Sequence, residues 1–295
     1  MVEKSSVAQL EEIARRVRIE TIKAIYLAGS GHPGGSLSIT DLLVALYFGG
    51  YVNVNPKDPY MPERDRVILS KGHAAPAFYA VLALKGFFDK ELLYTLRKLG
   101  SPLQGHVSRK HTPGVEASTG SLGQGLSIAL GMALKAKVDG MDYKTVALLS
   151  DGELQEGMTW EAAMTAKHFK PRNLVAIVDN NNIQLDDFVH KVNSGIYPIE
   201  EKFQACGWHT ITVEDGHDFN QILEAYDEAF KVAKEKPVAI RAVTVKGKGV
   251  KFMENTPAWH GKAPDRERFI EAMKDLGVPD GEIEEFLAKY DRKGS

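Results

Sequence analysis

Thr145-Val146-Ala147-Leu148-Leu149-Ser150 is an unbroken, largely apolar run that leads straight into Asp151-Gly152-Glu153. A strand with one wet face would alternate apolar and polar residues, and this run does not. It therefore reads as a strand covered on both faces, the pattern of a parallel sheet. Residues 174–179 repeat the pattern and lead into Asn180-Asn181-Asn182-Ile183, and residues 66–70, 209–213 and 238–245 read as further strands. Helical spacing fills the intervals. A first helix over 6–27 stops at Ala28-Gly29-Ser30-Gly31, and Thr40 and Asp41 read as the cap of a second that runs to Phe48. Others are expected over 76–84, 123–138, 159–168, 219–234 and 266–276, with a terminal helix and short tail over 279–295. Strands alternating with helices give an α/β fold, a doubly wound, mainly parallel sheet flanked by helices. No repeat, low-complexity tract or linker divides the chain, so residues 1–295 read as one domain. Ligands of such sheets bind beyond the carboxyl ends of the strands, where strand order reverses.

Composition narrows the function classes. A formal net charge of −2, mixed in sign, offers no field for a nucleic acid backbone. No stretch approaches the ~18 apolar residues that span a bilayer, and the N-terminus lacks the apolar core of a signal peptide. With Cys206 as the one cysteine, no intrachain disulfide or thiolate zinc cluster can form. A cytoplasmic protein that binds neither nucleic acid nor membrane is the expectation.

Two polar clusters therefore stand where a ligand belongs. Asp151-Gly152-Glu153 follows one buried strand, and Asp179-Asn180-Asn181-Asn182-Ile183 follows another. Each alone is an ordinary turn former. Brought together by adjacent strands, they supply a carboxylate, an amide oxygen and a backbone carbonyl. That hard oxygen set suits Mg²⁺ or Ca²⁺ with a diphosphate better than Zn²⁺. Gly152 would let backbone approach phosphate closely.

Four histidines sit in glycine- or proline-rich segments: Ser30-Gly31-His32-Pro33-Gly34-Gly35, Ser70-Lys71-Gly72-His73, Gln104-Gly105-His106 and Pro257-Ala258-Trp259-His260-Gly261. A single such histidine is usually a turn residue. Four outside the periodic apolar positions are available to line a site. Thr119-Gly120-Ser121-Leu122-Gly123-Gln124-Gly125 opens a helix and can present backbone N–H groups to a ligand. It is not a dinucleotide fingerprint, because no strand immediately precedes it. Lys246-Gly247-Lys248-Gly249 lacks P-loop spacing and reads as a mobile loop that leads to His260 and lids the site.

Asp151-Gly152-Glu153-Leu154-Gln155-Glu156-Gly157 with the later Asn181 resembles the cofactor motif of thiamine diphosphate enzymes in its transketolase form, and the matches run from His32 to His260. The resemblance implies that Asp151, Asn181 and the Ile183 carbonyl hold Mg²⁺, for which Ca²⁺ or Mn²⁺ can substitute. It places His73, His260, Gly120, Ser121, Leu122, Gly152, Glu153, Glu156 and Asn181 against the cofactor. His32, His106 and His260 would act on the sugar and the reacting carbon. Many such enzymes have Gly where Ser150 stands.

In this family the Glu that activates the aminopyrimidine lies in a following pyrimidine-binding domain, absent here along with the C-terminal domain. The resemblance therefore implies a subunit that needs a second chain carrying that domain, two copies of each, and moves a ketol unit between sugar phosphates of the pentose phosphate pathway. Glu156 would pair across the subunit interface. Rival readings are a deoxyxylulose-phosphate synthase-like or 2-oxo-acid dehydrogenase-like subunit, or a cofactor-binding module without turnover.

Overall fold

A computed structural model describes residues 5–290. Its one sheet holds β1 (Arg66–Leu69), β2 (Thr145–Ser150), β3 (Leu174–Asn180), β4 (His209–Val213) and β5 (Val238–Val243), all parallel, in the order β1-β2-β3-β5-β4. β2 and β3 are buried at every residue, as their unbroken apolar runs require. Ser150 pairs with Asp179, so the two polar clusters leave the sheet side by side. Strand order reverses beyond β3, and the end of β3 meets the end of β5 there.

Successive strand residues point to opposite faces. Val146, Leu148, Val175 and Ile177 join the larger layer with α1 (Val7–Ala28), α2 (Pro33–Phe48) and α3 (Ala75–Lys85). Ala147, Leu149, Ala176 and Val178 face the smaller layer, built on α4 (Gln124–Asp139) and α5 (Gly157–Phe169). The short α6 (Val189–Asn193) and α7 (Ile199–Ala205) follow β3. Then come α8 (Phe219–Val232), α9 (Arg266–Asp275) and α10 (Asp280–Tyr290), all on the larger layer.

Local chemistry sets most boundaries. Ser6 and Gln9 form a reciprocal capping box at the start of α1, and Gly29 ends the helix in the left-handed region at φ 64°. The second helix departs from the sequence reading. It begins at Pro33, with His32 as its flanking residue, so Thr40 and Asp41 lie inside it rather than at its cap. Gly34 and Gly35 look like helix breakers, yet a side chain there has no room. A Cβ on Gly34 would meet the Trp259 carbonyl at 2.9 Å, and one on Gly35 would meet His73 Nε2 at 3.1 Å. Packing against the site repays the helix-propensity loss that a sequence window sees. α6 and α7, of five and seven residues, are too short to show a period. The tail expected over 291–295 lies outside the described residues.

Candidate active site

Both clusters arrive where the parallel register puts them. Asp151 is fully buried: Oδ1 accepts the Gly152 N–H at 2.8 Å, and Oδ2 accepts the Asn182 N–H at 2.5 Å and Asn180 Nδ2 at 2.7 Å. Asn181 Oδ1 accepts the Ile183 N–H at 3.1 Å, and its amide donates to Ser38 Oγ at 3.2 Å. No ion pair reaches Asp151 among the described residues. Burial raises its carboxyl to about 6; the hydrogen bond from Asn180 opposes the rise and the charge of Asp179 adds to it.

Two lysines complete the floor. Lys71, at the end of β1, is wholly buried and donates to Asp179 Oδ2 at 2.5 Å. Lys246, just past β5, is 1% exposed and donates to the Ile183 carbonyl at 2.7 Å. Its Nζ also lies 2.7 Å from His260 Nδ1. Burial lowers the Lys246 ammonium to about 7, and the charge of Lys71 lowers it further. Lys71 and Lys246 line a cavity of about 290 Å³ together with His73, His260, Asn181 and Ile183.

The four motif histidines converge. The His32 ring is 5.4 Å from His73, 5.5 Å from His260 and 6.0 Å from His106, centre to centre, and His73 is 5.2 Å from His260. Burial pushes His32 to about 4, with help from the Arg97 charge, and His260 to about 3, with help from Lys246. His73 falls well below the usual imidazole range by burial and then the Lys71 charge. Burial and Arg97 lower His106 as well, although it stands exposed at the outer side. The cluster is therefore one of neutral imidazoles at neutral pH, each able to donate through one nitrogen and accept through the other. His32 Nδ1 is buried without a partner.

The glycine segment meets this cluster from the α4 side. Gly120 holds φ 149°, and a Cβ there would meet His106 Cδ2 at 2.9 Å. Leu122, Gly152, Glu153 and Glu156 line the same cavity as the lysines, whereas Gly120 and Ser121 lie outside its lining. The Glu153 oxygens are already engaged. They accept the Gly123 N–H at 2.8 Å, the Ser150 N–H at 3.3 Å and the Ser70 hydroxyl. That carboxylate ties the glycine segment to the ends of β1 and β2. Glu156 is exposed at the start of α5, with no side-chain cap bond.

Sequence reading misses Lys71, Lys246, Ser38 and Asp179 as site groups. Lys246 in particular reads as part of a mobile lid, yet its side chain is buried in the floor. Its signal is an isolated lysine directly after an apolar strand, on the carboxyl side of a parallel sheet. A fully buried carboxylate with no direct ion pair among the described residues, together with the amide oxygen of Asn181 and the carbonyl of Ile183, fits a hard divalent cation. Among the described residues no group of three or more His, Cys, Asp or Glu is arranged to hold a metal ion by itself, the four converging histidines included. Two buried ammonium groups and neutral imidazoles around one cavity fit a diphosphate.

Comparison with known proteins agrees with this chemistry. Residues 9–290 match the family model described as transketolase, thiamine diphosphate binding domain. Over 267 residues the chain is 42% identical to the 6-deoxy-6-sulfo-D-fructose transketolase subunit of Clostridium sp. (strain MSTE9), covering 90% of this chain and 96% of that protein. It is 38% identical over 270 residues to an apulose-4-phosphate transketolase subunit of Phocaeicola vulgatus, covering 92% and 94%. It superimposes on the crystal structure of transketolase from Campylobacter jejuni with a TM-score of 0.86 and 32% identity, covering 96% of this chain but 46% of that one.

Proposed function

This chain belongs to the transketolase family by a match that spans residues 9–290, and from that premise we propose that it is the diphosphate- and metal-binding subunit of a two-chain transketolase. Its reaction is transfer of a two-carbon ketol unit between sugar phosphates, with pentose-pathway sugars as the default substrates and the cytoplasm as its place. The observation that carries this reading is one cavity lined by Lys71, Lys246, His73 and His260, with the His32 ring packed against both histidines and against His106, beside the buried Asp151. Relatives named as transketolase subunits favour it over synthase-like, dehydrogenase-like and non-catalytic alternatives.

Thiamine diphosphate, when bound, supplies the carbon centre that accepts and releases the two-carbon unit. The residues of this chain hold and orient. Lys71, Lys246, His73 and His260 would grip the diphosphate, and Asp151, Asn181 and the Ile183 carbonyl would hold Mg²⁺, with Ca²⁺ or Mn²⁺ as substitutes. Gly120, Ser121 and Leu122 would face the cofactor ring through their backbone, and Gly152 gives its phosphates close approach. His106, exposed on the outer side, and His32, half-buried among the other three rings, would hydrogen-bond sugar hydroxyls as neutral imidazoles.

The acid for the aminopyrimidine is assigned to a partner subunit carrying a pyrimidine-binding domain, a reading supported by the relatives named as transketolase subunits. Met158, Met164 and Phe169 of α5 are 42%, 57% and 52% exposed, and Leu185 and Val192 after β3 are 65% and 45% exposed. Apolar exposure of this kind beside Glu156 supports a docking edge for that partner, in an assembly of two copies of each chain. The test is a coupled ketol-transfer assay on the purified chain with thiamine diphosphate and Mg²⁺, alone and titrated with the partner, with light scattering for mass. We expect no turnover alone and turnover that saturates at equal stoichiometry. Full turnover by the unmixed chain would overturn the two-chain reading.

A further inference from the structure

His217 belongs to none of the motifs, yet it is buried in the turn between β4 and α8, its side chain 7% exposed. Its Nδ1 lies 2.6 Å from Asp41 Oδ2, in the middle of α2, and its Nε2 accepts the Val245 N–H at 2.8 Å. Because Nε2 accepts, Nδ1 carries the proton and donates to Asp41. Asp41 is matched in turn by Arg18 of α1, Nη1 to Oδ1 at 3.0 Å and Nη2 to Oδ2 at 2.5 Å. Arg18 also donates to the Leu37 carbonyl at 3.3 Å. The charge pair is complete within α1 and α2, so the imidazole is left to fix a backbone amide.

That amide immediately precedes Lys246. On the far side, the Gly247 N–H donates to the Gly34 carbonyl at 3.1 Å, and the Asn255 N–H donates to the Lys246 carbonyl at 2.9 Å. The backbone that carries Lys246 is thus pinned before, at and after the residue, and the pin before it is a side chain three elements deep. We propose that Arg18, Asp41 and His217 form a positioning relay that aims the Lys246 ammonium at the diphosphate. The inference rests on the reading that Lys246 faces that group. Burying an ion pair and an imidazole carries a desolvation cost that an apolar core would avoid. A relay that ends on the one amide preceding the site lysine gives that cost a purpose.

The test is a double-mutant cycle read by titration calorimetry of Mg²⁺–thiamine diphosphate into the chain assembled with its partner, with amide hydrogen exchange alongside. His217→Ala should weaken binding about tenfold, the scale of losing one well-placed hydrogen bond at a charged contact. His217→Gln, whose amide oxygen can still accept from Val245, should restore most of the affinity. In a Lys246→Met background the His217→Ala penalty should shrink below about twofold. Exchange at Val245 to Gly247 should quicken in His217→Ala and not in His217→Gln. Should the alanine variant not fold, His217→Phe fills the space without either nitrogen and enters the same cycle. An equal penalty in both backgrounds, or unchanged exchange, overturns the relay. Unchanged affinity in Lys246→Met alone overturns the diphosphate assignment of Lys246 and the relay with it, an outcome separate from the relay failing while that assignment stands.

Discussion

Asp151, one residue past the end of β2, and Asp179, which pairs with Ser150 near the end of β3, are both fully buried, and their environments push them in opposite directions. Burial alone would raise both carboxyls. At Asp179 the Lys71 ammonium overcomes it, helped by the Ser38 hydroxyl at 2.6 Å and the Thr244 hydroxyl, and the carboxyl is held below its usual range. At Asp151 the hydrogen-bond donors are all neutral, burial prevails, and the carboxyl rises to about 6. One carboxylate is neutralised by the chain itself and belongs to the scaffold. Its neighbour is held by three neutral N–H groups and no direct ion pair among the described residues, an environment that suits a ligand to a hard cation.

The sharpest way to break this contrast is to strip Asp179 of its cation. Lys71→Met leaves a buried charge unpaired and should cost about 3–5 kcal/mol of folding stability. Urea denaturation of the chain measures it, and a loss below about 1 kcal/mol would show that Asp179 does not depend on Lys71. Asp151 should behave otherwise. Asp151→Ala removes the charge along with the side chain, so its folding cost should be smaller, on the order of 1–3 kcal/mol for three orphaned donors.

The second prediction concerns what each carboxylate binds. Asp151→Ala and Asn181→Ala each remove a hard oxygen and should weaken Mg²⁺-dependent binding of thiamine diphosphate by the assembled enzyme at least ~100-fold, about 2.7 kcal/mol. Titration calorimetry with and without Mg²⁺ reads this directly. If both variants bind as the parent does, Asp151 is no ligand, and the two carboxylates differ only in their neighbours.

The same pair shows what a sequence can reveal. Two unbroken apolar runs ending in polar clusters imply buried parallel strands, and if those strands are neighbours the clusters must meet, as the bonds of Asp151 to Asn180 and Asn182 show that they do. The pairing of Asp179 with Lys71 does not follow, because a lysine in Ser-Lys-Gly-His has the composition of a surface turn, and only the packing of α2 over the strand ends buries it. Asp41 misleads for a related reason. Acidic residues favour helix starts, and nothing local says that Arg18, 23 positions earlier, and His217, 176 later, will face it. Gly34-Gly35 misleads by propensity, since the contacts that require these glycines come from Trp259 and His73. Elements and strand ends are written locally, whereas counter-charges are supplied by distant parts of the chain.

The contrast between groups committed to the scaffold and groups left open extends to the histidines, where the expected effect is smallest. His73 lies close to Lys71 and packs against Gly35, while His106 stands exposed with its ring against Gly120. A diphosphate held by Lys71 and Lys246 would lie beside His73, so His73→Ala removes one charge-assisted hydrogen bond. The loss should be about tenfold in cofactor affinity, or about 1.4 kcal/mol. His106→Ala touches no diphosphate oxygen in this arrangement, and cofactor affinity should stay within about twofold. Its penalty should fall instead on turnover, because a neutral imidazole on the outer side is placed to exchange protons with a sugar hydroxyl. The measurement is paired: calorimetric affinity for Mg²⁺–thiamine diphosphate and turnover at saturating cofactor, for both variants of the assembled enzyme. Equal losses of affinity would mean that both histidines serve the diphosphate, and that the division between floor and mouth does not exist.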